Sequence, residues 1–502
     1  MELTIDKFST PMRQSRVAIG IILIKFLRMT IRSFWPILLS FLIGGRNNDS
    51  FGTIIGYIAL GFAAFNLIGS ILTYFRFYFY LEDGAVIIDK GILKRTKTNI
   101  PFERIQTINF KQNILHQIFG VVSLEIDTAG AKKSEMTIDA LNKEDAELLR
   151  SFILKEKAQI ITPTADLDEH ANDIEEEENV VLHLSVSDLF KVGISQNHLR
   201  SMGLLFAFVF STINQFTENL PEFIDEQLSG YEIDILNSGW ILFLASVIIV
   251  SIISFAYSLI TTVLGNYDLT LSIKKSGLKL VKGLLNREEI SVAKNKIQVI
   301  SWSDNPIRMM FKMFTLQIEQ ASSAEADQLK SKIKVPGSYQ AQVDSVIRAV
   351  FPAEFYRPEE KHRVSKLLKY RLIFFIGILP TLIAGGISYF FIDWQSLYFI
   401  IWAIFIWFTV SAYYRKRSYE VNDELLRNNR GTFGHIYELA QLYKVQSVQI
   451  KQSWYQRRKR IATIVLSNAA GSLKVPFINI EEAEALESFI LYRIESDRRE
   501  WM

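Results

Sequence analysis

The sequence predicts a mixed membrane protein in which six transmembrane α-helices form three hairpins, each followed by a small cytoplasmic β-rich domain that ends in a helix. Three observations predict this architecture. Long apolar stretches occur in pairs, Lys and Arg residues lie almost entirely between the pairs, and the polar segments repeat a common motif. The 502 residues are also too many for a single compact core, so the chain must be segmented.

The apolar stretches define the membrane part. A transmembrane helix needs about 20 mainly apolar residues to cross about 30 Å of hydrocarbon. Six stretches meet or approach that length, the first and third being the weakest. None contains Asp, Glu, Lys, Arg or His, which argues against a proton- or ion-coupled transporter. The predicted spans are Ser33 to Gly45, Phe51 to Phe75, Ser201 to Thr217, Ser238 to Leu264, Leu372 to Ile392 and Trp394 to Tyr414.

The basic residues predict the orientation, because Lys and Arg are retained on the cytoplasmic side of a membrane. Of the 56 basic residues, only Arg46 falls in a loop inside a predicted hairpin, whereas the segment from Asp268 to Arg371 carries 19. We therefore expect a multi-pass protein of the bacterial plasma membrane with the N-terminus, all three β-rich domains and the C-terminus in the cytoplasm.

A motif of a basic residue, an apolar residue and Gln recurs once in each polar segment, at ungapped shifts of 192 and 340 residues. Each copy is followed by an alternating apolar strand pattern. The first and third segments also end alike, since Ala146 to Leu154 matches Ala483 to Leu491 at seven of nine positions with helical apolar spacing. The residues that define the repeat are Arg104 and Gln106, Lys296 and Gln298, and Lys444 and Gln446.

These repeats divide the chain into seven segments, and the three polar domains are called unit one, unit two and unit three. The segments are 1–79, an N-terminal interfacial helix and hairpin 1; 80–158, unit one; 159–183, an acidic linker; 184–266, an interfacial helix and hairpin 2; 267–352, unit two; 353–418, a basic elbow and hairpin 3; and 419–502, unit three.

Unit one carries the residues of a family resemblance. Tyr80 to Gly84, Lys90 to Leu93, Ile100 to Gln106 and Ile118 to Val121, with Thr128-Ala129-Gly130, resemble the bacterial pleckstrin-homology-like (PH-like) domain. Three such domains, each behind a hairpin, resemble the YdbT-type membrane proteins. The resemblance implies a seven-stranded β-sandwich or partly open barrel capped by a helix, and no catalytic activity. It also implies a partner, a smaller YdbS-like membrane protein with the same kind of domain, and a role in envelope stress or antimicrobial tolerance.

Composition and motifs exclude several kinds of chemistry. The chain has no Cys, its six His residues are scattered singly, and it has no phosphate-binding loop or nucleophile-turn motif. A net charge of +3 does not favour a nucleic-acid partner. We expect no catalytic residues, no metal site and no cofactor, and therefore no enzyme.

The candidate binding residues are cations close to predicted spans. Four consecutive cations in unit three replace residues that are largely apolar in unit one, and four cations cannot share a dry core. They could bind anionic lipid, an acidic segment such as Asp166 to Glu178 of this chain, or only solvent. An aromatic residue precedes them, and a basic elbow precedes the fifth span. The candidates are Arg457, Arg458, Lys459, Arg460 and Trp454, with Lys366, Lys369 and Arg371 in the elbow.

The function that these features favour is a non-enzymatic membrane scaffold whose PH-like domains bind a membrane-protein partner. Strand addition at a sheet edge would tolerate the sequence differences between the units. The alternative is a phospholipid-sensing or lipid-handling protein, for which membrane lipids are the partner and the basic elbow is the favouring feature. The sequence leaves the identity of the partner and the oligomeric state open.

Overall fold

The protein is described from a computed structural model. The structure describes residues 7–29, 31, 49–92, 94–128, 136–161, 178–196, 198, 202–203, 205, 207, 239–321, 332–351, 361–497 and 499. The predicted first span and most of the third span and acidic linker lie outside these residues.

Unit one consists of two three-stranded antiparallel sheets that meet at a corner, with a helix after the last strand. Asp83 and Gly84 both have positive φ, 48° and 70°, as expected for a tight turn between two strands. Its elements are α1 (18–29), α2 (Asp49–Phe75), β1 (Tyr78–Glu82), β2 (Ala85–Lys90), β3 (Thr96–Pro101), β4 (Ile105–Asn113), α3 (Ile114–Ile118), β5 (Val121–Thr128), β6 (Met136–Asn142) and α4 (Lys143–Ile161).

Unit two repeats this order, with an additional strand and a short helix before the hairpin. Its elements are β7 (Asn179–His183), α5 (Val186–Ile194), α6 (Gly239–Gly265), β8 (Thr270–Ile273), β9 (Gly277–Lys282), β10 (Asn286–Ala293), β11 (Ile297–Ser303), α7 (Pro306–Met310), β12 (Met313–Gln320), β13 (Lys332–Tyr339) and α8 (Gln340–Val350).

Unit three follows the same order again. Its elements are β14 (His362–Arg363), α9 (Leu367–Leu372), which continues through a π-helical turn (Ile373–Ile378) into α10 (Leu379–Ile392), α11 (Phe399–Lys416), β15 (Ser418–Val421), β16 (Leu425–Arg430), β17 (Ile436–Gln441), β18 (Val445–Lys451), α12 (Trp454–Arg458), β19 (Ile461–Asn468), β20 (Gly471–Asn479) and α13 (Ile480–Ser496).

Sheets run across neighbouring units. The second sheet of unit one pairs with the first sheet of unit two through β4 and β10, and the second sheet of unit two pairs with the first sheet of unit three through β11 and β17. We call these two antiparallel pairings join one and join two. The strand orders are β1-β2-β3, β6-β5-β4-β10-β9-β8-β7, β13-β12-β11-β17-β16-β15-β14 and β18-β19-β20.

A strand from before each hairpin pairs with the first strand after it. Met12 bridges Phe79 in unit one, β7 pairs with β8 in unit two, and β14 pairs with β15 in unit three. Units two and three reach seven strands only when this strand is counted. The sequence pattern did not predict it, because β7 falls in the segment assigned to the acidic linker and β14 in the segment assigned to the basic elbow. Each apolar segment therefore leaves from and returns to the same unit.

Each unit has its own apolar core, and the core of unit two extends across join two. Leu425 and Leu439 of unit three pack with Trp302 and Ile300 of unit two. The predicted interfacial helix before the third span is present as α5, but its Leu189 is 1% exposed and belongs to the core of unit two. Two other apolar residues of α5, Phe190 and Ile194, are exposed.

Within the described residues, three helices are long and apolar enough to cross a membrane: Val247–Gly265, Leu367–Phe391 and Asp393–Lys416. They match the predicted fourth, fifth and sixth spans. The predicted second span coincides with α2, whose apolar described part is the shorter Ala64–Phe75.

Candidate interaction surfaces

The repeated basic-apolar-Gln motif forms the corner between the two sheets of each unit. A 3-10 turn ends at each basic residue, namely Arg104, Lys296 and Lys444, and the next strand begins directly after it. The strand register then shifts at the Gln position in all three units, between residues 105 and 107, 297 and 299, and 445 and 447. A β-bulge bends and twists its strand, which is how a chain passes from one sheet of a sandwich to the other. The motif is therefore structural.

The basic residue of the corner differs between units. Arg104 is exposed, whereas Lys444 is 2% exposed and donates hydrogen bonds across join two to the carbonyl oxygens of Asn295 (2.8 Å) and Ile297 (2.7 Å). Burial lowers the pKa of Lys444 to about 8, and the nearby positive charges of Arg499 and Lys296 act in the same direction. The corner of unit three thus anchors that unit to unit two.

Join one is held by a short ladder and by side chains on either side of it. Phe110 to Asn113 lie opposite Glu289 to Asn286. From α4, Arg150 pairs with Glu289 at 2.7 Å and donates to the Ser291 hydroxyl at 2.6 Å, with its guanidinium 5.1 Å from the Phe110 ring. At the other end, the Gln117 amide donates to the carbonyl of Leu284 at 2.8 Å. A helix flank, a strand edge and a turn all contribute.

Join two is made by the equivalent strands of units two and three, and its side-chain contact is more apolar. Trp302, 1% exposed, stacks on Tyr437 with 5.2 Å between ring centroids, and the Arg427 guanidinium lies over both rings. The backbone amide of His435 donates to the Asp304 carboxylate at 2.5 Å. Both joins are therefore interfaces between PH-like units made by antiparallel strand addition.

β4 of unit one and β11 of unit two each make a join, and their equivalent in unit three, β18, lies at a sheet edge. Within the described residues, no strand pairs with the outer side of β18. At the 148-residue shift between units two and three, Ile300 and Trp302 correspond to Val448 and Ile450. The first two are 0% and 1% exposed, whereas Val448 and Ile450 are both partly exposed. We call the outer side of β18 the open edge.

The predicted cationic cluster lies next to the open edge, on α12 and the turn after it. Arg457, Arg458, Lys459 and Arg460 are all exposed, as the sequence required. The Arg458 guanidinium lies 4.2 Å from the ring centroid of Trp454, which is 70% exposed. Arg460 pairs with Glu481 at 3.0 Å. The cluster is thus a solvent-facing, strongly positive turn.

The structure brings this turn together with part of the basic elbow. The Arg371 guanidinium lies 5.8 Å from the ring of Tyr455 in α12 and 5.5 Å from that of Phe477. Lys369 lies 5.5 Å from the Trp407 ring, and Lys366 is exposed. Because α9 is the first turn of a candidate span, α12 lies beside the point where that helix leaves unit three.

The corresponding turns of units one and two expose apolar side chains. In α3 and the residue after it, Ile118 is 68% exposed and Phe119 57%, and in α7 Met310 is 79% exposed. Arg308 in α7 is nearly buried and donates to the Ser195 hydroxyl at 3.1 Å, so this turn packs against the chain just before the predicted third span. Burial lowers the pKa of Arg308. The turn is therefore apolar in two units and cationic in the third.

The described residues do not contain a cluster of three His, Asp or Glu side chains that could hold a metal ion. A cavity of about 370 Å³ near the corner of unit three is lined by charged residues, but these pair with one another. Arg499 pairs with Glu424 and Asp497, and Arg493 with Asp423.

Comparison with known proteins assigns the family. The family model described as "Bacterial PH domain" matches residues 21–157, 220–352 and 373–494, which is most of the chain. The chain belongs to the bacterial PH domain family. The three matches coincide with the three units and their preceding apolar segments, so the predicted repeat is confirmed.

A relative of similar length supports the same assignment. The chain is 25% identical over 481 residues to the UPF0699 transmembrane protein YdbT of Bacillus subtilis (strain 168), covering 92% of this chain and 94% of that protein. The chain is thus a YdbT-like membrane protein with three bacterial PH domains. Neither the domain family nor the UPF0699 family is known for an enzyme activity.

Proposed function

We propose that this protein is a non-enzymatic, multi-pass membrane scaffold whose bacterial PH domains bind a membrane-protein partner through sheet edges. The observation that carries the proposal is that the domains of this chain already bind one another in that way, at join one and join two. A strand edge presents a regular row of N–H and C=O groups, and side chains beside it select the partner. One further edge of the same kind, the open edge of β18, is available in unit three.

The six-span topology belongs to the same proposal. Because the strands before and after each apolar segment pair within one unit, each segment has to cross the membrane an even number of times. Unit two illustrates the point, since α5 and the end of α6 both lie at that unit, which calls for a second crossing between them. With the asymmetry in basic residues, this supports three hairpins and a cytoplasmic location for all three units and both termini.

The proposal is tested by purifying the tagged chain from native membranes in mild detergent and identifying co-purified proteins by quantitative mass spectrometry. A stoichiometric membrane protein, which we expect to be a smaller protein with a single domain of this family, supports the scaffold. Absence of any stoichiometric protein contradicts it. A deletion strain with altered tolerance of membrane-active antimicrobials would place the scaffold in envelope stress.

The second candidate function is recognition of anionic phospholipid. It is favoured by the exposed cations of α12, which lie beside the elbow residue Arg371 and hence beside a candidate span. Each cation near an anionic membrane surface contributes about 1 kcal/mol. Lipid analysis of the purified chain provides the test. Replacement of Arg457 to Arg460 by Gln should lower the retained anionic phospholipid if this function is correct, and unchanged retention contradicts it.

A further inference from the structure

We propose that the open edge of β18 is the docking site for the first sheet of a PH-like domain in a different protein, and that this domain has an acidic turn between its second and third strands. The inference rests on the proposed scaffold function and names the surface and the chemistry of the partner. It follows from the repeat itself. β4 pairs with β10 and β11 pairs with β17. β18 occupies the equivalent place in unit three, but among the described residues no strand pairs with its outer side.

Two strands of the chain are candidates for such docking, and their side chains distinguish them. β3, the counterpart of β10 and β17, carries Lys97 within the strand and ends in Pro101, and Arg95 precedes it. Lysine and proline are the residues with which proteins protect an edge from pairing. β18 has no proline and a single lysine, Lys451, at its end. The partly exposed Val448 and Ile450 add apolar surface beside the open edge.

The cations of α12 determine the charge of the incoming turn. At join one, Gln117 of α3 donates to Leu284, in the turn between β9 and β10. The residue that takes the place of Gln117 in unit three is Arg457, followed by three further exposed cations. An incoming domain would bring its equivalent turn against these four charges. Acidic residues in that turn would complement them, and basic residues would be repelled.

A second requirement comes from α13. Arg150 of α4 pairs with Glu289 on β10, and the tail alignment places Glu487 of α13 where Arg150 lies in α4. Glu487 is partly exposed. The third strand of the incoming domain is therefore expected to carry Lys or Arg where β10 carries Glu289. This is the charge pair of join one with its signs reversed.

A second copy of this chain does not meet both requirements, so they favour a different protein as the partner. β3 of a second copy satisfies the second requirement, because Lys97 takes the place of Glu289. It fails the first, because Lys90 at the end of β2, and Lys94 and Arg95 in the turn before β3, would face the four cations of α12, although Arg95 also pairs with Asp89. Like charges directly opposed across an interface disfavour the wrong partner. The turn charge therefore selects against self-association.

Site-specific photo-crosslinking in native membranes tests the proposal with the full chain. The photoreactive residue p-benzoylphenylalanine is placed at Gln449, an exposed position on β18, and the adduct peptide is identified by mass spectrometry. As a positive control, the same residue at Lys111, which lies opposite Glu288 in join one, must give an intrachain adduct to β10. We expect the Gln449 adduct to be a strand of a PH-like domain in another membrane protein, preceded by an acidic turn.

Two charge reversals sharpen the result. Glu487→Lys should lower the yield of the Gln449 adduct about fivefold, because it removes the attraction for a base on the incoming strand. The matched variant on the other edge, Lys97→Glu, should leave the yield unchanged. If a second copy were bound, Lys97→Glu would lower the yield and the double variant Glu487→Lys/Lys97→Glu would restore it.

The outcomes distinguish this inference from the scaffold function. An adduct with 96–101 of a second copy, with the linker 166–178 of the same chain, or with a PH-like strand preceded by a basic turn overturns the docking assignment. A stoichiometric partner that co-purifies without any Gln449 adduct overturns it as well and leaves the scaffold function standing. Absence of both partner and adduct overturns both.

Discussion

The same strand is buried in unit two and open in unit three. In unit two, β11 is covered on its outer side by β17, and its Ile300 and Trp302 are buried. In unit three, β18 has the same corner, the same bulge and apolar residues at the same positions, yet Val448 and Ile450 are partly exposed. The comparison shows that the repeated fold builds an interface strand in every unit. Among the described residues, β4 and β11 pair with a strand of the next unit, whereas the outer side of β18 does not pair with a strand.

The largest expected difference between the two strands concerns their central apolar side chain. Trp302→Ala should destabilise join two by about 3–5 kcal/mol, because it removes a fully buried aromatic that also stacks on Tyr437. Ile450→Ala, at the same position of unit three, should cost about 1 kcal/mol, since part of its surface is already in water. Amide hydrogen exchange of β11, β17 and β18 in the purified chain measures both. Equal losses of protection would show that the two strands are buried alike.

Raising the pH should stabilise join two and should leave the open edge unchanged. The pKa of Lys444 in the folded chain is about 8, below the ordinary value of 10.5, so the unfolded chain binds more protons between these values and stability rises with pH. From pH 7.5 to pH 9.5 the gain should be up to about 2 kcal/mol. Urea midpoints from pulse proteolysis of units two and three measure it. Lys444→Met should abolish the rise, and a rise that persists in that variant would contradict the assignment.

Join one should show a smaller coupling between the two residues of its ion pair. Arg150 and Glu289 are partly exposed, 19% and 26% by side chain, so solvent screens them and their coupling should be about 1 kcal/mol. A double-mutant cycle with Arg150→Ala and Glu289→Ala, read by hydrogen exchange of β4 and β10, measures this coupling. Glu487→Ala, at the Arg150 position of unit three, should leave β18 exchange unchanged in the chain without a partner. A coupling of zero would show that the flank of α4 does not stabilise join one.

The smallest effect concerns the turn that precedes the second strand of each second sheet. Gly120, Lys312 and Arg460 share this position and all have positive φ, 64°, 55° and 52°. A side chain is strained there, so Lys312→Gly should stabilise unit two by about 0.5–1 kcal/mol, and Gly120→Ala should destabilise unit one. Thermal unfolding with fragment-resolved proteolysis measures both. A loss of stability in Lys312→Gly would mean that the lysine makes contacts that outweigh the strain.

Much of the fold could be predicted from the sequence because the patterns that determine each unit are local in the chain. The apolar spans, the basic-apolar-Gln corner and the helical tail are contiguous patterns, and the structure contains the described ones. The exposure of Arg457 to Arg460 also followed from the cost of burying four charges. The departures from glycine at Lys312 and Arg460 did not change the turn, since both adopt the backbone conformation of Gly120.

The joins and the strands before the hairpins could not be predicted in this way. β14 has only two residues and β7 five, too short for a clear strand period. The pairing of β4 with β10 links residues more than 170 positions apart, and no local pattern encodes it. An interfacial helix was predicted before the third span, but helical apolar spacing does not distinguish a membrane surface from a protein core, and Leu189 of this helix lies in the core of unit two.

Hydrogen exchange of the full chain, alone in detergent and in native membranes, tests the difference between β11 and β18 most directly. In the purified chain, we expect amides of β18 to exchange about tenfold faster than those of β11, because among the described residues a strand pairs with one side of β18 and with both sides of β11. In native membranes β18 should become as protected as β11. Equal protection of the two strands in the purified chain, or a β18 that stays unprotected in native membranes, would contradict it.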